Sequence, residues 1–236
     1  MMLRASVAVV VALTLCVGPA ASAYARRYAS ELRRQSGGRV TGTVKLTLAN
    51  SAPSPAGVYE RRAVGPRPRA QPEIKSVVIF FSDLPATKNA PMQASIAQKD
   101  EQFAPHLVAV TAGSKVAFPN EDPFFHNVFS LSRGAGFNLG RYPSGSSRSQ
   151  TFTRPGMVKV FCEIHSHMSA VIRVFEHGWF TVPNEDGTFA IDNVPPGDHT
   201  VVAWHERIGE RRDRVTIRAG ADTQINFTLP VLEPGQ

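Results

Sequence analysis

An all-β chain built from two sandwich units is the fold class this sequence predicts. Eighteen glycines and eighteen prolines in 236 residues are residues that punctuate turns and interrupt helices. Between those turns run short apolar or alternating stretches at the two-residue period of strands. Long segments at the helical period are few. About 210 residues beyond the leader described next suffice for one or two domains with their own cores.

The first element is a leader rather than structure. Arg4 supplies a positive start, Ala5 to Val17 is a short apolar run, and Ala21-Ser22-Ala23 is a small-residue cleavage site. The run is too short to span a bilayer, and Arg26 and Arg27 follow it closely. Residues 1–23 are therefore expected to be a signal peptide cleaved near Ala23, with Ala25 the alternative. The mature chain is then periplasmic or secreted, with no membrane span. Leu13-Thr14-Leu15 lacks the small residue that precedes a lipidated cysteine, which argues against Cys16 as an anchor.

From Tyr24 to Gly38 the chain is a polar, arginine-rich arm, and Val40 to Leu48 alternates like a strand. Ser51 to Pro72 is proline-rich and reads as an extended loop or linker. The apolar run within Lys75 to Phe81 is a buried strand. Further strands are predicted at Ser95–Gln98, Leu107–Val110, Lys115–Pro119, His126–Leu131, Gln150–Thr153, Gly156–Cys162 and Ala170–Phe175, with Arg133 to Ser149 as loop. Short strands at such intervals suggest a sandwich or barrel. The tail holds strands at Phe180–Val182, Thr188–Ile191, His199–His205, Arg214–Arg218 and Thr223–Leu229, with a charged hairpin over Glu206–Arg212. About sixty residues make a small core, so the tail is expected to complete itself with an earlier part of the chain.

The chemistry concentrates in Phe161-Cys-Glu-Ile-His-Ser-His-Met168. Cleavage of the leader removes Cys16 and leaves Cys162 as the one remaining cysteine of two. In an oxidising compartment such a thiol is inert and buried, paired between chains, or committed to chemistry. Cys162, His165 and Met168 join a thiolate, an imidazole and a thioether in one loop, and His126 supplies a second imidazole from another strand. Two nitrogens and a thiolate with a weak axial thioether are the ligand set of a mononuclear electron-transfer copper site. Zinc prefers a closed tetrahedral set without a thioether, so Met168 argues against it. No oxyanion-stabilising motif accompanies Cys162 and His165, so no catalytic residue is expected and the chain is read as a non-enzyme. Asn127 is placed to donate its backbone or side-chain amide toward the Cys162 sulfur and to hold the loop, and Phe124 and Phe125 to keep the site dry, while Phe129 and Phe161 read first as ordinary core and second as lining. His106, His177, His199 and His205 are expected to be surface or hydrogen-bonded residues.

The formal charge of +7 falls to +6 once Arg4 is lost. The excess gathers at Arg26–Arg34, Arg61–Arg69 and Arg207–Arg214, either as solvated surface or as a face for an acidic partner. No nucleic-acid motif accompanies it.

The segment Val116-Ala-Phe-Pro-Asn-Glu-Asp-Pro-Phe-Phe-His-Asn-Val-Phe129, followed by Gly156-Met-Val-Lys-Val-Phe-Cys-Glu-Ile-His-Ser-His-Met168, resembles the plastocyanin/azurin family of cupredoxins. Two residues on either side of His165 is a spacing similar to the amicyanin branch. The resemblance covers roughly Ser95 to Phe175. It implies a Greek-key cupredoxin β-sandwich, one type 1 copper ion held by His126, Cys162, His165 and Met168, and one-electron transfer by way of the loop histidine. His167 stands as an alternative to Met168 on the axis. Asp186 to His205 resembles carboxypeptidase-regulatory-like, transthyretin-like units, a smaller β-sandwich whose opening strands are similar to Val40–Leu48 and Lys75–Phe81. Secreted proteins associated with methylamine utilisation share this layout. The expected organisation is 1–23 signal peptide, 24–94 arm and strands completing the C-terminal sandwich, 95–175 copper-binding domain, and 176–236 second β domain. The implied function is a periplasmic blue copper protein carrying single electrons between redox proteins, such as a dehydrogenase or a c-type cytochrome with an acidic docking face. The alternatives are a copper-handling or delivery protein, or a non-catalytic binding module with a structural metal site.

Overall fold

The computed structural model describes residues 37–48 and 72–231. The expected signal peptide, nearly all of the arginine-rich arm and the proline-rich stretch up to residue 71 lie outside the described residues. The regular elements described are all strands, apart from one 3-10 turn at Glu73–Ser76.

Strands are numbered in chain order. The central unit is a sandwich. One layer runs β6 (Leu107–Thr111), β12 (Ser169–Phe175), β11 (Gly156–Phe161), β8 (His126–Ser130), β9 (Phe137–Tyr142). The facing layer is β10 (Ser147–Phe152), β7 (Ser114–Pro119) and β3 (Gln93–Ser95), with the hairpin β4 (Ala97–Lys99) and β5 (Gln102–Ala104) beside it. Ile96, Val116, Phe118, Val128, Val158, Val160 and Ile172 fill the space between the layers.

The second unit draws strands from both ends of the chain. β1 (Gly38–Leu48) pairs with β14 (Thr188–Val194), β17 (Asp222–Gln224) and β18 (Phe227–Val231). Opposite lies the sheet β13 (Phe180–Thr181), β2 (Val77–Phe81), β15 (Gly197–His205), β16 (Gly209–Ile217). Gly42 lies where β1 passes Ile225. A side-chain carbon there would fall 1.6 Å from the Ile225 carbonyl oxygen, so only glycine fits.

All five residues of β2 are buried, which explains its unbroken Val-Val-Ile-Phe-Phe run. Val77, Ile79 and Phe81 enter the core of the second unit. Val78 and Phe80 face the other way, with Val202, onto Leu107, Val171 and Phe175 of the central unit. The two sandwiches therefore share an apolar seam. Phe175 stacks on Phe180 at 4.5 Å and tilts against Phe80 at 5.1 Å. The Arg173 guanidinium sits over Trp204 at 4.7 Å and over Phe80 at 5.5 Å, a cation held against ring faces. Burial there pushes its pKa down.

Four readings of the sequence are corrected. Residues 133–149 are not loop, because they contain β9 and the start of β10. The stretch read as one strand over residues 95–98 divides at Ile96 between β3 and β4, and the last strand divides into β17 and β18. The charged hairpin is only a short turn, since β16 begins at Gly209. Its exposed Glu210-Arg-Arg-Asp-Arg214 run decorates a sheet edge, where alternating charge discourages pairing with another chain.

Polar contacts flank the seam. Glu206 pairs with His106 at 3.0 Å and with Lys159 at 3.0 Å. The bond from His106, and then Lys159, outweigh burial and hold the Glu206 carboxyl down at about 2. The same bond is the main cause that raises His106 above its ordinary value. A depressed acid contributes stability that is complete above its unfolded pKa, here about 4.5, and is lost as pH falls toward 2. A raised histidine contributes stability that is complete below its unfolded pKa of 6.5 and is lost as pH rises through the folded value. The difference in thermal midpoint between the native chain and Glu206→Gln should therefore peak between those two reference values and shrink on either side. A difference independent of pH would contradict the assignment.

Candidate metal centre

Two-residue alternation sets the site. On β11, Val158 and Val160 point into the central core, so Cys162, two further on, points inward as well. On β8, Val128 points inward, so His126 shares its face. The strands run antiparallel and meet at Phe161 and Phe129. His126 and Cys162 therefore converge at one end of the sandwich. The chain then turns through residues 162–168, closed by the Met168 N–H donating to the His165 carbonyl at 2.9 Å, and re-enters the sheet as β12.

His126 Nδ1, Cys162 Sγ and the ring nitrogen of His165 come together within 4.8 Å of one another. Sγ lies 3.7 Å from His126 Nδ1, and the two Nδ1 atoms are 3.0 Å apart. Metal bonds of about 2.0 Å to nitrogen and about 2.3 Å to sulfur leave neighbouring donor atoms roughly 3 to 4 Å apart, as these are. His126 is fully buried and Cys162 nearly so, while His165 is partly exposed. Met168 is buried in the same apolar cluster as Cys162. His167 is turned away: its Nε2 lies 3.1 Å from the Glu101 carbonyl, and the side chain is exposed. Among the described residues no other group of three metal-ligating side chains gathers in this way.

The tautomer of His126 is fixed from behind. Its Nε2 is 2.7 Å from Asp122 Oδ2, a carboxylate that only accepts, so Nε2 carries the proton and Nδ1 offers its lone pair to the cluster. Asp122 is itself held by the backbone N–H groups of Asp100 at 2.7 Å and Glu101 at 3.0 Å. Burial acts to raise the Asp122 carboxyl, but these bonds, led by that from His126, outweigh it and hold the pKa below the usual range. Asn120 steadies the same loop by donating to the carbonyls of Phe124 and Tyr142. Sequence reasoning missed Asp122. Its one local signal was an acid four residues before the histidine.

Asn127 holds the turn as expected, but its side chain does so by accepting rather than by donating to the sulfur. Its Oδ1 accepts the Glu163 N–H at 2.6 Å, tying the residue after each inward ligand to the other. Its Nδ2 is buried without a hydrogen-bond partner, so the side-chain amide does not reach the sulfur. The phenylalanines are corrected more fully. Phe129 and Phe161 contact each other, with ring centroids 6.0 Å apart, on the outer face of the sheet. Phe124 lies 5.2 Å from both histidine rings yet is 38% exposed, and Phe125 is 55% exposed. With exposed Ile164 they form an apolar rim at the His165 edge rather than a sealed lining.

The donor set suits copper. A soft thiolate with two imidazoles accommodates both oxidation states of that metal, and buried Met168 follows at the loop position of a thioether ligand. Comparison with known proteins agrees. Residues 90–175 match the family model for copper binding proteins of the plastocyanin/azurin family. Residues 179–225 match the model for domain II of polysaccharide lyase family 4. No curated protein matches the chain. Among solved structures, the Cu-containing nitrite reductase (NirK) of Thermus scotoductus SA-01 is 25% identical over 42% of this chain and 26% of its own, with a TM-score of 0.35. The chain thus spans about a quarter of that protein's length. A purple cupredoxin of Nitrosopumilus maritimus is 20% identical over 35% of this chain and 99% of its own, with a TM-score of 0.32. Amicyanin from Paracoccus versutus is 19% identical over 41% and 97%, with a TM-score of 0.33. Over residues 90–175, its central unit, the chain thus resembles the copper binding proteins of the plastocyanin/azurin family, and the donor set there implies a copper ion.

Proposed function

We propose that the chain is an exported, periplasmic type 1 copper protein that carries single electrons between redox partners and catalyses no reaction of its own. The observation that carries this reading is the convergence of His126, Cys162 and His165 at one end of the central sandwich. His126, Cys162, His165 and Met168 are the residues that would hold the ion. Copper held there supplies reversible one-electron chemistry.

The chain's own residues account for the rest. Asp122 and the Asp100–Glu101 turn hold the His126 ring in one orientation, and Asn127 holds the start of the loop to β8. A ligand set pinned by the sandwich moves little when the metal changes charge, which favours rapid transfer. The half-exposed His165 edge, framed by Phe124, Phe125 and Ile164, is the surface on which we place partner contact. The chain's basic charge favours a partner with an acidic face, such as a dehydrogenase or c-type cytochrome.

The signal-like residues 1–23 support export. The proposed division is a copper domain over 95–175 and a second β unit formed by 176–236 with strands from 24–94. The pairings of β1 with β14 and of β2 with β15 support it. No helix among the described residues is long and apolar enough to cross a membrane.

Two substitutions test the ligand assignment. In copper-loaded protein, Cys162→Ser is expected to abolish the intense visible absorption while far-ultraviolet circular dichroism keeps its strand signature. Retention of the band would remove Cys162 from the ligand set. Met168→Leu is expected to keep the band and raise the reduction potential, since the axial ligand tunes it. An unchanged potential in voltammetry would exclude Met168.

A further inference from the structure

Outside the ligand cluster, one carboxylate of the second unit reaches both strands that flank the metal-binding turn, β11 directly through Lys159 and β12 by way of His106. Glu206 follows β15 directly. Its Oε1 lies 3.0 Å from Lys159 Nζ, and Lys159 stands on β11 three residues before Cys162. Its Oε2 accepts from His106 Nε2 at 3.0 Å. The other ring nitrogen of His106, Nδ1, lies 3.0 Å from the carbonyl oxygen of Ser169, the residue after Met168. Both partners of the ring are acceptors, an arrangement that favours the charged ring, which can donate from both nitrogens. Its own carbonyl accepts the Val171 N–H at 2.8 Å, so side chain and backbone together hold the start of β12.

The position matters because Phe161 and Ser169 form the last registered pair of the β11–β12 ladder before the turn opens. Beyond that pair, the turn has no ladder bonds to hold its spacing. Glu206 grips the two rails at this end from outside the sandwich. A cleft of about 710 Å³ separates the units there, with Met168 and Ser169 on one wall and Glu206 and Arg207 on the other. The neighbouring acid, Glu73, acts on His106 through its charge, as the smallest of the causes that raise it, and makes its own close contacts elsewhere. It lies 2.6 Å from Arg207 and 2.8 Å from His205 Nε2, the latter off the direction of a hydrogen bond, and both partners belong to the second unit.

We propose that Glu206 is a positioning residue for the copper-binding turn: through Lys159 and His106 it fixes where β11 ends and β12 begins, so that the second β unit sets the approach of Met168 to the Cys162 cluster. The inference rests on the ligand reading given under Proposed function, and its test separates the two. Full-length native protein, Glu206→Ala, Glu206→Gln and the control Glu73→Ala are compared in two states. In metal-free protein, amide hydrogen exchange at Met168 and Ser169 is expected to speed up in both Glu206 variants and to stay unchanged in Glu73→Ala. In copper-loaded protein, both Glu206 variants are expected to keep the visible band but lose copper affinity by about tenfold, as removal of an outer partner of a ligand does, with a shifted reduction potential. Glu73→Ala should match the native protein in both. Unchanged exchange and potential in Glu206→Ala would overturn the proposal, as would equal changes in Glu73→Ala, which would mark a general loosening of the seam. If the native chain shows no thiolate-to-copper band, the ligand reading fails on its own. The exchange rates then still decide whether Glu206 grips the turn.

Discussion

The antiparallel contact between β8 and β11 is the constraint on which the rest of the structure depends. Each strand alternates its side chains between two faces, and the contact at Phe129 and Phe161 fixes which residues share a face at that end. A slip of one residue on either strand would turn His126 or Cys162 out to solvent and exchange it for an apolar neighbour. The valines at 128, 158 and 160 prevent such a slip, because each would have to leave the core. The register that buries the core is therefore also the register that brings His126 and Cys162 together.

Around this contact the molecule divides its labour. On the buried side, His126 is oriented by Asp122, and Asp122 by two backbone N–H groups of an adjoining turn. On the open side, His165 meets solvent among partly exposed apolar residues. One imidazole is thus rigidly held and the other is open to solvent, an asymmetry that suits the proposed carrier role. The second β unit leans on the opposite part of the same sheet through Phe80, Val202, Leu107 and Phe175. The ligand-bearing strands β11 and β12 therefore have the first sandwich core on one face, and β12 has the second unit on the other.

Much of this was legible in the sequence, for physical reasons. The 162–168 ligand spacing is local, and β2, β11 and β12 announce themselves through dense apolar residues. His126 was recognisable because a phenylalanine-rich strand start preceded it. β9 was not. It is an edge strand carrying Asn138, Gly140 and Arg141, and such strands tolerate residues that read as loop. The roles of Asp122 and Asn127 were only partly visible, since their partners Asp100, Glu101 and Glu163 lie 21 to 36 residues away. The outward placing of Phe129 and Phe161 followed from alternation along strands whose other face was already committed to ligands and core. Glu206 carried no local signal at all, because both of its partners come from the other unit.

X-ray absorption at the copper edge of the loaded, full-length protein tests the central claim most directly. The account predicts a first coordination shell of one short sulfur and two imidazole nitrogens, the sulfur vanishing when residue 162 is changed to serine. A shell of nitrogen and oxygen alone, with the thiol of Cys162 still free to react, would contradict it.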